Sequence, residues 1–111
     1  MEEKKKLKGY MELSPQALSK ILDAARQIPA SVRGELAEDL MDQITEGNFR
    51  IPGDIAKSIL HLWQTGKLET NTGIERLIES CVKSNSEETF KILSEYGLDD
   101  TVSQIKEAVK L

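Results

Sequence analysis

The sequence is poor in the residues on which much protein chemistry depends, with one cysteine, Cys81, and one histidine, His61. A single thiol excludes an intramolecular disulfide and a multi-thiolate metal site within one chain. No stretch approaches the roughly 20 apolar residues of a membrane span. The charged N-terminus is not followed by the apolar core of a signal peptide. We therefore predict a cytoplasmic protein that does not cross a membrane.

Aromatic residues are also scarce, at 5%, so leucine and isoleucine must supply most of the core. The 111 residues are 39% hydrophobic and 31% charged, which is typical of one folded and well-solvated domain. A net charge of −4 and a pI near 5.1 argue against general affinity for phosphate backbones, which requires a dense basic surface. We predict a disordered charged tail over residues 1–9 and a single helical domain over residues 10–111.

Apolar residues recur with helical spacing along the chain, and no segment alternates with the period of a strand. Capping signals divide this pattern into helices. Ser14 and Pro15 begin the first helix, and Gly47 ends the second. We expect further caps at Thr72 and Ser86, before the fourth and fifth helices. The pattern predicts an all-α fold, a compact bundle-like or orthogonal domain of five to six short helices.

The residues that commonly carry catalysis lack the partners that a mechanism needs. His61 has no metal-ligand pattern four residues away, and Cys81 falls on an apolar helical stripe without a nearby base. Four carboxylates crowd one face of the predicted second helix: Glu35, Glu38, Asp39 and Asp42. Nothing apolar among them would raise a pKa for acid–base work. We expect a protein without catalytic activity, without a metal and without a cofactor.

The segment 46–53 links the predicted second and third helices and is the most informative part of the chain. Its glycines and Pro52 are explained by helix termination and initiation. Phe49, Arg50 and Ile51 leave two interpretations open. Phe49 and Ile51 can fold inward and fill the space between the two helices, or the three residues can form a contact surface for a partner. Arg50 is expected to be accessible in either case.

Residues 32–60, about a quarter of the chain, carry a longer pattern. It consists of an aliphatic repeat, a glycine stop with an aromatic, and a helix that closes in paired aliphatics: Leu36, Leu40, Ile44, Gly47-Asn48-Phe49-Arg50-Ile51, Ile55-Ala56 and Ile59-Leu60. This pattern resembles the C-terminal segment of flagellar anti-sigma factors, in which two helices wrap a sigma factor and hold it away from RNA polymerase. The resemblance implies partner contacts at Ile44, Phe49, Ile51, Ile55 and Leu60.

These observations predict a small helical protein–protein interaction module with an adaptor or regulatory role. Its predicted partner-binding residues are Phe49, Arg50, Ile51 and Trp63. One alternative is a DNA-binding transcription regulator with a helix-turn-helix-like core, which the net negative charge disfavours. The other is the anti-sigma-like regulator that the resemblance implies. Homo-oligomerisation is also open, because Trp63, Leu62 or Tyr96 could form an exposed apolar patch.

Overall fold

The computed structural model describes residues 10–110, which form five helices and no strand. The helices are α1 (Pro15–Arg26), α2 (Ala30–Thr45), α3 (Gly53–Gln64), α4 (Asn71–Glu95) and α5 (Asp99–Val109). The prediction of an all-α domain of five to six short helices is confirmed. The predicted disordered tail, residues 1–9, lies outside the described residues, as does Leu111.

The start of α1 follows from its capping sequence. The Ser14 hydroxyl accepts a hydrogen bond from the amide of Ala17 at 3.1 Å, and Pro15 occupies the first helical position, where no amide donor is needed. The other end of α1 is followed by a short turn at Pro29, after which α2 begins without a side-chain cap.

Arg33 stabilises this turn from the first part of α2. Its guanidinium donates to three backbone carbonyl oxygens, of Ile28 at 2.9 Å, Arg26 at 3.2 Å and Glu69 at 3.3 Å. The first two acceptors lie at the end of α1, and the third lies in the turn between α3 and α4. One side chain therefore ties together three separate parts of the chain.

α4 contains the predicted fourth and fifth helices in one element with a kink. Asn85 interrupts the helical backbone with φ −159° and ψ 86°. Its Oδ1 accepts a hydrogen bond from the amide of Glu88 at 3.2 Å, which is the geometry of a helix cap. The prediction that Ser86 caps this part is therefore wrong by one residue, because the side chain that accepts from the free amide of Glu88 is that of Asn85.

The first half of α4 is capped by Thr70 and not by the predicted Thr72. The Thr70 hydroxyl accepts from the amide of Gly73 at 3.1 Å. Gly73 is buried, and a Cβ atom there would lie 2.2 Å from the carbonyl oxygen of Lys67 and 2.7 Å from that of Leu68. Only glycine allows the preceding turn to approach the helix this closely.

α4 is the centre of the fold, because each of the other four helices packs against it. α1 and α5 also pack against each other, whereas α2 and α3 contact no described helix except α4. The largest fully buried side chains include Ile21, Leu36, Leu40, Ile74, Leu77, Ile78, Leu93 and Ile105. The core therefore lies mainly along α1, α4 and α5, and α3 lies at its margin.

Candidate functional site

α3 is the least buried of the five helices, with Ile59 as its single fully buried residue. Ile55, Ile59 and Leu62 recur every three or four residues and pack against the core. A second apolar row lies beside this inner face. We call this row, formed by Ala56, Leu60 and Trp63, the outer stripe.

The outer stripe carries the only two large hydrophobic side chains that are exposed within residues 10–110. Leu60 is 44% exposed and Trp63 is 39% exposed. Residues three apart on a helix are neighbours on its surface, so these two side chains lie next to each other. A helix at the surface of a domain normally buries its apolar residues in one stripe. An additional exposed pair makes this face the candidate site.

The link before α3 holds that helix in place through α4. Gly47 ends α2 with a positive φ of 91°, as predicted. On one side of Phe49, the side-chain amide of Asn85 donates to the carbonyl oxygen of Asn48 at 3.0 Å. On the other side, the amide of Arg50 donates to the hydroxyl of Ser84 at 2.5 Å. The link is thus fastened to the kink of α4 on both sides of its aromatic residue.

The structure places the predicted contact residues of the link in different environments. Phe49 is 4% exposed and belongs to the core, and Ile51 is partly buried against it. The inward interpretation of these two residues is therefore the one that the fold shows. Arg50 is exposed, as expected. A partner contact by Arg50 or Trp63 stays a prediction.

Leu60 is absent from the residues that spacing alone assigned to partner binding, and only the family resemblance included it. The available signal was its position three residues before Trp63 and outside the row of Ile55, Ile59 and Leu62. That signal separates two faces of one helix, but it does not say which face the rest of the chain covers. The burial pattern answers that question.

The segment that carries the outer stripe is more basic than the rest of the chain. Residues 50–67 contain Arg50, Lys57 and Lys67 against one carboxylate, Asp54, a net charge of +2 in a chain of −4. All four of these residues are exposed. Lys67 is held at the end of α3 because its amide donates to the carbonyl oxygen of Leu62 at 2.8 Å. The net charge of this segment is therefore opposite in sign to that of the whole chain.

Trp63, Leu62 and Tyr96, the three candidates for an exposed apolar patch, differ in exposure. Leu62 is partly buried against the core. Tyr96 is also partly buried, and its hydroxyl donates to Oδ2 of Asp39 at 2.6 Å. Burial is the larger cause and this hydrogen bond the smaller one that raise the pKa of Tyr96 above its ordinary value. Trp63 is the only one of the three that is exposed.

The titratable groups singled out in the sequence have simple environments. Cys81 is fully buried, and burial raises the pKa of its thiol well above the ordinary value, which makes it a poor nucleophile. His61 is exposed on α3.

Within residues 10–110, no group of three histidine, cysteine, aspartate or glutamate side chains is placed to hold a metal ion. In the same residues, no helix combines the length and apolar character needed to cross a membrane.

Of the five residues that the anti-sigma resemblance implies as contacts, four pack within this chain's own fold. Phe49 is buried, and Ile44, Ile51 and Ile55 pack partly buried against the core. Leu60 is the exposed one. Comparison with protein-family models, with curated proteins and with solved structures gives no match for this chain.

Proposed function

We propose that this protein is a small helical interaction module that binds a protein partner through the outer stripe of α3. The adjacent exposure of Leu60 and Trp63 on one helix face carries this proposal. Tryptophan is enriched among the residues that dominate interface energetics, and a leucine beside it supplies further apolar area. Docking would remove from water two side chains that the folded chain leaves exposed.

The packing of α3 against the core and the hydrogen bonds of the preceding link support the same proposal. Ile55, Ile59 and Leu62 attach the helix to the core by its inner face, and the link is fastened to α4 by hydrogen bonds. The backbone that presents Leu60 and Trp63 is therefore held before any partner arrives. Binding then requires less ordering of the site, which favours affinity.

Site-specific photo-crosslinking tests the proposal. A photoreactive amino acid is placed at position 63 or 60, and at Glu38 on α2 as an exposed control position. In a lysate of the source cell, we expect one crosslinked product from positions 60 and 63 and none from Glu38. An excess of unlabelled wild-type protein should abolish it. An excess of the folded double variant Leu60→Ser, Trp63→Ser should leave it in place. Competition by the double variant as strong as by wild type would contradict the proposal.

One observation favours the DNA-binding alternative enough for a direct test. α3 exposes Lys57, His61 and Gln64, all of which can donate to phosphates or base edges. A gel-shift titration at low and at high salt distinguishes the two functions. Tight DNA binding that weakens steeply with salt, and that is lost in Lys57→Ala, would replace the protein-binding proposal. We expect no retention of DNA at protein concentrations in the micromolar range.

A further inference from the structure

We propose that the outer stripe of α3 receives an amphipathic helix whose flanking residues are acidic. This inference rests on the proposed function and specifies the chemistry of the partner at the same site. It is based on the shape of the stripe, the charges beside it and the area that it offers.

The shape of the site fits one helix. Gly53, Ala56, Leu60 and Trp63 follow each other at intervals of three, four and three residues, which is the spacing of a helix–helix seam. A 12-residue helix such as α3 is about 18 Å long. A Cβ atom added at Gly53 would meet nothing within 4 Å, so this end of the seam is open. Small residues at one end and large ones at the other let a second helix approach closely at Gly53 and pack against Trp63.

The charges select an acidic partner. Lys57 lies three residues before Leu60 and therefore borders the outer stripe, while Lys67 stands at the end of α3. No ion pair within residues 10–110 engages either lysine. A helix in the seam with carboxylates beside its apolar residues would place opposite charges next to these lysines. Such complementarity accelerates association and disfavours basic partners.

The same features disfavour a second copy of this chain in the seam. Two α3 helices packed against each other would bring Lys57 and Lys67 of both copies to one narrow interface. A stable dimer also buries about 800 Å² on each partner, more than a short seam with two large exposed side chains provides. The site therefore suits a brief contact with a short helical segment better than permanent self-association.

Trp63 is the only tryptophan, so its fluorescence reports directly on the seam. The probes are three synthetic helical peptides of about 18 residues. They share one leucine seam and carry glutamate, lysine or glutamine at the flanking positions. We expect the glutamate peptide to shift Trp63 emission to shorter wavelength and to bind at least about tenfold more tightly than the lysine peptide. Raising the salt concentration should reduce this preference.

Charge reversal provides the decisive control. The variant Lys57→Glu, Lys67→Glu should lose the preference for the glutamate peptide. The variant Lys20→Glu, Lys91→Glu has the same net charge but is changed at exposed positions on α1 and α4, and should keep it. Equal binding of all three peptides, or loss of preference in both variants, would overturn the acidic-partner inference.

Other results separate this inference from the proposed function. If position 63 crosslinks to a partner but the glutamate peptide is not preferred, the acidic-partner inference is rejected and the proposed protein-binding function is retained. No competed crosslink at positions 60 and 63 would reject both. Concentration-dependent dimerisation in sedimentation velocity that is abolished by Trp63→Ser would assign the seam to a second copy and overturn the inference.

Discussion

α3 and α4 both carry apolar residues at helical spacing in the sequence, yet the fold buries them to different extents. Ten residues of α4 are buried, whereas α3 has one. The reason is position, because α4 packs against all four other described helices, and among these helices α3 packs against α4 alone. Apolar spacing shows that a helix has a face to bury, but the number of its neighbours decides how much is covered. The exposed remainder on α3 is where we place the partner.

The largest expected effect comes from equal truncations in the two helices. Leu77→Ala removes a fully buried side chain of α4 and should lower the free energy of unfolding by about 3–4 kcal/mol. Leu60→Ala removes an exposed side chain of α3 and should change it by less than about 0.5 kcal/mol. Urea denaturation monitored by circular dichroism measures both. Similar losses in the two variants would show that α3 is covered in solution.

The next test concerns the turn that joins the two helices. Gly73→Ala places a Cβ atom 2.2 Å from the carbonyl oxygen of Lys67, so we expect a loss of about 2–3 kcal/mol. Gly34→Ala is the control, because its Cβ would meet only the end of the Glu69 side chain, at 3.3 Å. Since alanine is the better helix former, that variant should gain up to about 1 kcal/mol. A tolerated Gly73→Ala would mean that the turn can move away.

A smaller effect is expected where α4 holds the link to α3. Asn85→Ala removes the cap on Glu88 and the hydrogen bond to Asn48, and should cost about 1–2 kcal/mol. Ser86→Ala, at the cap position that the sequence predicted, should be close to neutral. Hydrogen exchange should also show faster exchange at the amide of Arg50 in Asn85→Ala. Unchanged exchange there would separate the link from the kink.

The smallest effect uses the thiol buried in α4. Because burial raises the pKa of Cys81 in the folded state, the folded protein keeps a proton that the unfolded chain releases. This contribution to stability is complete below the unfolded thiol pKa of about 8.5 and declines above it, by about 1 kcal/mol near pH 9. Denaturation between pH 7 and about pH 9.5 should show the decline in wild type and a flatter curve in Cys81→Ala. Identical curves would show that Cys81 is accessible to solvent.

Several helix boundaries can be predicted from capping residues that are close together in the sequence. Ser14-Pro15 and Gly47 begin and end helices because capping and positive φ depend on a few neighbouring residues. The caps at Thr70 and Asn85 were missed because several serine, threonine and asparagine side chains compete within two residues of each other. Which oxygen lies three residues before a free amide depends on where the turn places the backbone.

The candidate site was harder to predict because exposure depends on the whole fold. Phe49 lies between Asn48 and Arg50 in the link and Trp63 lies on a helix, and the residues next to each do not show whether its side chain is buried. Phe49 is buried because the link is drawn onto α4 by Ser84 and Asn85, which lie more than thirty residues away. Trp63 is exposed because no described helix covers that face of α3. Which of the two aromatic side chains is buried therefore depends on the tertiary structure.

The hydrogen bonds of Arg33 restrict the amino acid at one position much more than at the positions of its three partners. Its three acceptors are backbone carbonyls, which every residue type provides, so the side chains at positions 26, 28 and 69 can vary without loss of an acceptor. Position 33 cannot vary in the same way, because lysine has a single nitrogen and lacks the planar fork that reaches several oxygens. The contact between these three segments therefore depends on the side chain of a single residue, Arg33. In a set of homologous sequences, we expect arginine at position 33 even where the exposed residues 26 and 69 differ.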